Sequence, residues 1–464
     1  MKFGGTSVGD GDKIKHVAKL VKSYADKGYE ICVVASAMGD VTDELLDSAE
    51  KAKSGEQQFA VDFVKTLRDR HGKAAEHAIE GGEMRQQVLE ELDGKLLSLE
   101  RVLVGIAYLR ELTPRSLDYV LSFGERLSSI LVCGALRDLK LKARHLTGGE
   151  AGLITDATFG EARPLMDITS QRVENRLSKL MKQGEIPVVT GYIAETQEGV
   201  TTTLGRGGSD YTATILGVAL KVDEIWIWTD VDGLMTADPK IEASARTLKT
   251  ISYVEAMELA HFGAKAMHPR TLEPAMEANI PVRMRNTFNP DNVGTVITRE
   301  ERIKSGDIVK AIATIKNAAL VTVGGAGMIR APGMAAKVLS ILSEKNVNVS
   351  MMSQGSSEAN LSLIVPRSVL GSVVDALKSG LMGTNLAKGV VGEADAYVVA
   401  AVGAGMKGTP GVAAKVFSTV AKEGINIRMI AQGSSELNIS FVVKESDGDR
   451  AVQALHREFK LQSA

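Results

Sequence analysis

TTLGRGGSDYTATILGVAL (residues 202–220), followed at once by KVDEIWIWTD (221–230), holds a complete strand–turn–helix–strand cycle. Gly205, Gly207 and Gly208 free the backbone for a tight turn, and Ser209 and Asp210 are placed to cap an apolar helix. The apolar run that follows reads as a buried strand ending at Trp228. The cycle recurs around it. IPVVTGYI (186–193) precedes it, and IPVRMRNTF (280–288) follows the helical pattern YVEAMELAHFGA (253–264). Such alternation predicts an α/β fold whose mostly parallel sheet carries helices on both faces and binds ligands beyond the carboxyl ends of its strands. Upstream, residues 13–27 read as a helix closed by Gly28, and YEICVVAS (29–36) as a strand. Residues 57–112 read as a helical excursion, and 113–139 as a helix with Thr113 as N-cap and Pro114 at its first position. TREERIKSGD (298–307) reads as a linker.

A second glycine-rich strand-to-helix turn opens the chain, in MKFGGTSVGDG (1–11). Gly4 and Gly5 would let backbone N–H groups approach an anion, with Lys2 beside them. The stretch is no P-loop, because Gly4 and Gly9 are followed by Asp10 and Gly11 instead of Lys and Ser or Thr. Two such turns in one sheet, with Lys2 and Arg206, point to an anionic ligand, and Arg206 has the fork that grips a carboxylate. FGERLSS (123–129) sets Glu125 in an apolar helix, where it is either a paired structural charge or a seat for an ammonium group. WTDVDGLMTADPK (228–240) places Thr229, Asp230 and Asp232 in a strand-end loop, and FGAKAMHP (262–269) offers Lys265.

Several classes are excluded. Fifty-five basic against 57 acidic residues give no field for nucleic acid. Cys32 and Cys133 lack CxxC spacing and fit a reducing compartment, so a cytoplasmic location is expected. No apolar run reaches the length of a membrane span, and no membrane association is expected. The seven histidines form no metal-binding motif, and protein-kinase signatures are absent. Gly403, Gly405 and Gly408 spell GxGxxG, but INIRMIAQG (425–433) lacks the acidic residue a nicotinamide site needs, and Arg330 breaks the pattern in the earlier copy.

That earlier copy belongs to an internal repeat. GAGM at 325–328 recurs at 403–406, PGMAAKV at 332–338 as PGVAAKV at 410–416, and QGSSEANLS at 354–362 as QGSSELNIS at 432–440, each offset by 78 residues (403 − 325). Each unit reads strand, turn, helix, strand, strand, helix, and is too small to bury its sheet well alone.

In order and spacing, KFGGTS (2–7), SAM (36–38) with Thr42, FGERLS (123–128), GRGGSDYTA (205–213), TDVDG (229–233) and FGAKAMHP resemble the aspartate kinases along nearly the whole chain. The repeats resemble that family's paired ACT domains. The resemblance implies an amino-acid-kinase-type open αβα sandwich followed by two ferredoxin-like βαββαβ ACT domains. The implied domains are a catalytic part at 1–300, with aspartate in its N-terminal portion and ATP at about 200–300, one ACT domain at 317–386, and a second made of 305–316 plus 387–464. Lys2 would neutralise the transferred phosphoryl group and Asp210 would orient it. Thr42, Glu125, Arg206 and Ser209 would hold aspartate. Gly4, Gly5, Thr229, Asp230, Met235, Lys240 and Lys265 would contact ATP, with Mg²⁺ as its ion. Gln354 and Gln432 resemble threonine-sensitive relatives, so threonine is the expected effector, and a homodimer through the ACT domains, or a dimer of dimers, is the expected assembly.

The chain departs from the family pattern at Asp43, where an asparagine is usual, at Met235 for tyrosine and at Lys240 for arginine. Its first strand is expected to be short. The alternatives are a glutamate or acetylglutamate kinase, against which FGERLS and the two repeats argue, and an amino-acid sensor without activity, against which Lys2, Glu125, Arg206 and Asp210 argue.

Overall fold

The computed structural model describes residues 1–262, 267–299, 308–325, 328, 333–355, 359–381 and 389–463. The chain divides into two compact units: Met1–Leu234 with Lys249–Tyr253 and Ala266–Glu300, and Met235–Leu248 with Val254–Lys265 and Glu301–Ala464.

The first unit contains β1 (Lys2–Phe3), β2 (Val33–Ala35), β3 (Ala143–Leu146), β4 (Ile186–Thr190), β5 (Ile193–Glu195), β6 (Thr201–Thr203), β7 (Ile225–Thr229), β8 (Thr250–Ser252), β9 (Val282–Asn286) and β10 (Thr295–Thr298). Eight of them form one sheet in the order β3-β4-β2-β1-β7-β9-β10-β8, and β5 pairs with β6 apart from it. Every pairing in the large sheet is parallel except β9 with β10. The alternation read from the sequence therefore yields the mostly parallel sheet it predicts. The strands are short and apolar because both faces are covered: β1, β2 and β4 are buried throughout.

β1 has only two residues, yet it lies at the middle of the sheet with parallel partners on both sides, Lys2 opposite Val34 and Ile227. Phe3 stacks on Trp228, and both are fully buried. Lateral pairing therefore holds this strand where its length would not. Thr113 caps the next site-forming segment as its sequence suggests, accepting from the Ser116 N–H, with Pro114 inside the helix. That segment breaks at Ser122 into Pro114–Leu121 and Phe123–Asp138. The proposed linker begins inside β10, and residues 300–307 lie outside the described residues.

The second unit is an antiparallel sheet of β11 (Ala311–Gly324), β12 (Met351–Gln354), β13 (Asn360–Pro366), β14 (Gly389–Val402), β15 (Met429–Ala431) and β16 (Asn438–Val443), in the order β12-β13-β11-β14-β16-β15. Two apolar cores, one per repeat, lie beneath helices Met334–Glu344 with Leu370–Leu381 and Val412–Lys422 with Glu445–Glu458. The repeat is visible in the register. Moving the pair Ala311↔Val402 by the repeat offset gives Gly324↔Gly389, which is also paired, so β11 and β14 are related by an approximate two-fold axis. The register breaks between Ile315 and Leu320, where that axis passes and Asn317 takes a left-handed φ of 55°. Residues 311–315 run along 398–402, the strand that pairs with β16 in the second repeat, whereas 318–324 pair with β13 of the first.

Candidate active site

The loops at the carboxyl ends of β4, β2, β1, β7 and β9 converge in the first unit. Lys2 is 8% exposed, and its Nζ lies 2.5 Å from Asp210 Oδ1. The partners flank two different glycine turns: Lys2 lies on β1, before the first, and Asp210 in the first turn of helix Gly208–Ala219, after the second. The capping expectation is corrected here. Gly207, in the left-handed region at φ 73°, is the N-cap, and Ser209 and Asp210 fall within the first helical turn. Positive φ at Gly205 and Gly207 starts the helix two residues early, which turns Asp210 toward Lys2 instead of toward the helix's own amides.

The first turn uses its glycines differently. A Cβ on Gly5 would sit 2.9 Å from the Ala37 carbonyl oxygen and 3.3 Å from that of Gly39, so only glycine lets it meet the Ser36–Gly39 loop, where Gly39 N–H donates to Gly5 O. The amide of Gly4 donates to Trp228 O at 3.2 Å, so it is engaged within the fold.

Glu125 stands in the first turn of helix Phe123–Asp138 and is 4% exposed. Gly124 brings the helix against Ala37 and Thr42, and the Ser128 hydroxyl donates to Ser36 O. Burial pushes the Glu125 carboxyl up to about 8, against the opposing pull of the Ala37 N–H, its own N–H and the Lys2 charge. Its Oε2 is buried without a hydrogen-bond partner. A buried carboxyl oxygen in that state has its hydrogen-bonding capacity unused.

Thr42 is half-buried, and Asp43 is exposed in the first helical turn, where its charge complements the helix N-terminus. The unusual Asp43 is thus accommodated by solvent. Ser209 is half-buried and lies against Gly191, where a Cβ would sit 2.5 Å from its Oγ. Arg206 is exposed and forms no ion pair among the described residues. Burial first, and then the Arg206 and Arg270 charges, hold the His268 imidazole below its usual range. Thr229 ends β7 and donates to exposed Asp230 at 3.1 Å. Asp232 is engaged by Asn286 and Asn289.

Met235 and Lys240 fall in the second unit. There Thr247 Oγ1 donates to Met235 Sδ at 3.4 Å, Lys240 is exposed, and Thr236 joins His456 at 2.9 Å. Lys265 lies outside the described residues. Gln354 and Gln432 are exposed at equivalent places, the end of β12 and just past β15.

Thr287 escaped the sequence reading. It is fully buried, its Oγ1 meets Ser7 Oγ at 2.7 Å, its N–H donates to Thr229 O at 2.8 Å, and its carbonyl meets His16 Nε2 at 2.7 Å. It ties the Lys2 turn to the β7 loop. Asp118 was missed as well; it accepts from Thr203 N–H, Thr203 Oγ1 and Gly160 N–H. Its place inside the apolar pattern DYVLSF, where a charge must find partners, was the available signal.

The amino acid kinase family profile matches residues 1–286, and the ACT domain profile matches 321–381 and 399–459. The chain belongs to the amino acid kinase family. Among its members it is similar to the aspartokinases. It is 36% identical over 468 residues to bifunctional aspartokinase/homoserine dehydrogenase 1, chloroplastic, of Arabidopsis thaliana, covering 99% of this chain and 51% of that one. It is 35% identical over 475 residues to aspartokinase 1, chloroplastic, of the same plant, covering 99% and 79%. The chain thus spans about half the length of the first curated relatives it matches. Its fold matches E. coli aspartokinase III in complex with lysine and aspartate, with a TM-score of 0.83 at 30% identity, covering 99% of this chain and 98% of that one. The same enzyme with aspartate and ADP matches with a TM-score of 0.81 at 29% identity, covering 98% of each chain. This chain holds Lys2 in an ion pair and leaves one oxygen of buried Glu125 without a partner.

Proposed function

We propose that the protein transfers the γ-phosphoryl group of ATP to the β-carboxylate of L-aspartate, giving 4-phospho-L-aspartate and ADP, the first step toward lysine, threonine and methionine. The observation that carries this reading is the pairing of Lys2 with Asp210 in the same unit as a buried Glu125 whose Oε2 lacks a partner.

The nucleophile is an anionic carboxylate, so no general base is needed. What the chain must supply is alignment of two anions and neutralisation of charge as it spreads over the phosphoryl oxygens. Lys2, oriented by Asp210, supplies that charge. Glu125 receives the substrate ammonium, Arg206 the α-carboxylate, and Thr42 and Ser209 complete the pocket. Gly5, Thr229 and Asp230 face the phosphates. Asp230 is exposed at a strand end and, among the described residues, accepts from Thr229, which suits a nucleotide-bound Mg²⁺ held through one or two carboxylates and the phosphates. That ion would screen the phosphate charges.

In this reading, regulation by an amino acid, threonine by preference, acts at ACT domains divided as 317–386 and 305–316 plus 387–464. The pairing of residues 311–315 with 398–402 supports the division. Assembly is a homodimer through the ACT domains or a dimer of dimers, and the location is cytoplasmic, in keeping with free Cys32 and Cys133.

An ATP-dependent hydroxamate assay with aspartate, glutamate and acetylglutamate tests the activity. Turnover with aspartate is the expected outcome, and its absence at saturating ATP and Mg²⁺ sinks the proposal. Titrating threonine and lysine tests the effector, and inhibition by lysine alone overturns the role given to Gln354 and Gln432.

A further inference from the structure

The two repeats share a sequence but not their surroundings. After the first strand of each repeat, the Gly325 N–H donates to Ala359 O and that of its counterpart Gly403, which opens a turn, donates to Leu437 O, both at 2.9 Å. In the second repeat a carboxylate from outside the repeat enters that turn. Glu255, on helix Tyr253–His261, is fully buried, and its Oε1 accepts from the Ala404 N–H at 2.6 Å. Its Oε2 lies 3.4 Å from Lys310 Nζ, and the Lys310 side chain is itself only 10% exposed. One helical turn on, Glu258 accepts from Asn438 Nδ2 at 2.5 Å, whereas Asn360, the equivalent of Asn438, is exposed.

The surroundings are shaped for this. A Cβ on Gly403 would collide with the Ile308 carbonyl, so glycine is what lets the chain leading into Lys310 run beside the turn. A carboxylate taken wholly out of water is tolerated only where a cation and a hydrogen-bond donor meet it; Lys310 is the cation and the Ala404 N–H a donor.

We infer that the turn Gly403–Met406, with Lys310, is a carboxylate-binding site of the second repeat, and that its resident ligand is the chain's own Glu255. The site takes a small monocarboxylate group: one oxygen on a backbone N–H, the other on an ammonium. Its occupation tethers helix Tyr253–His261 to the second repeat, and His261 reaches the Ser350 carbonyl of the first, 3.2 Å away. The helix bridges both repeats through groups on one face.

Chemical rescue tests this independently of catalysis. In the full chain, Glu255→Ala should lower Tm by several degrees, and acetate or propionate should restore part of the loss saturably while leaving the wild type unmoved. The double variant Glu255→Ala, Lys310→Met should show no rescue. If Glu255→Ala is recovered only unfolded, propionate present during refolding should raise the folded yield. Failure of both carboxylates to restore Tm or yield overturns the inference. So does an equal effect from chloride at matched ionic strength, or rescue that persists without Lys310.

Discussion

The two glycine turns of the first unit have similar composition and opposite physical purposes. In KFGGTS neither Gly4 nor Gly5 has a positive φ; glycine is needed there because Gly5 touches the backbone of Ala37 and Gly39. In LGRGGSD, Gly205 and Gly207 are left-handed, at φ 75° and 73°, and glycine is needed for the conformation itself. The first turn gives up its exposure and fixes Lys2 in a buried place. The second launches a helix, leaves Arg206 outside and sends Asp210 inward. Similar sequences thus build a buried, paired lysine and an exposed arginine.

The sharpest way to break this contrast is to remove the held charge. Lys2→Ala should lower kcat by about 10² or more with smaller changes in KM, since a lost charge clamp acts in the transition state. A near-normal kcat would take Lys2 out of the chemistry. Arg206→Ala should instead raise KM for aspartate about tenfold or more, the cost of about 1.4 kcal/mol in a charge-assisted bond, with kcat altered less.

The glycines separate next. Gly207→Ala must adopt a left-handed φ and meets His268 Cβ at 2.7 Å, so it should destabilise the protein by about 1–2 kcal/mol or more, read as a lower urea midpoint. Gly5→Ala has no conformational penalty but presses on the Ala37 carbonyl next to Glu125, so it should raise KM for aspartate more than it lowers the midpoint. Equal ratios of KM to midpoint effects in the two variants would erase the distinction.

Glu125 offers a test through pH. Its folded value, about 8, lies above its ordinary 4.5, so the native state binds the extra proton between them. That contribution is fully present below pH 4.5 and is lost as pH rises through 8. Glu125→Gln should therefore flatten the decline in stability across this window. Aspartate binding, which needs the ionised form to meet an ammonium, should tighten as pH rises toward 8 in the wild type and lose that trend in Glu125→Gln. The smallest effect is expected at the junction holding the first turn to the β7 loop. Thr287→Val should raise KM for ATP several-fold, roughly 1 kcal/mol for one buried hydrogen bond, and Thr287→Ser should restore it.

Much of the molecule was legible beforehand because its signals are local. Alternating apolar runs marked the parallel sheet, the 78-residue offset (403 − 325) marked the paired modules, and Glu125 stood out as a charge in an apolar helix. Thr287 gave no such sign, since its work is done by one hydroxyl and two backbone groups meeting three distant segments. Met235 and Lys240 read as part of the strand-end loop, yet packing assigns them to the second unit, because side chains such as Thr236 and Gln453 hydrogen-bond within it.

The sequence by itself determined which segments become strands and helices, which turns need glycine, and which side chains can carry charge to an anionic substrate, because periodicity and residue chemistry act over a few positions. Only the tertiary structure decided that a two-residue strand sits at the centre of the sheet, that Lys2 meets Asp210, that Glu125 keeps an unpartnered oxygen, and that Glu255 fills one repeat's turn. Those outcomes depend on pairing and burial between residues far apart in the chain, where desolvation decides which charges must find partners.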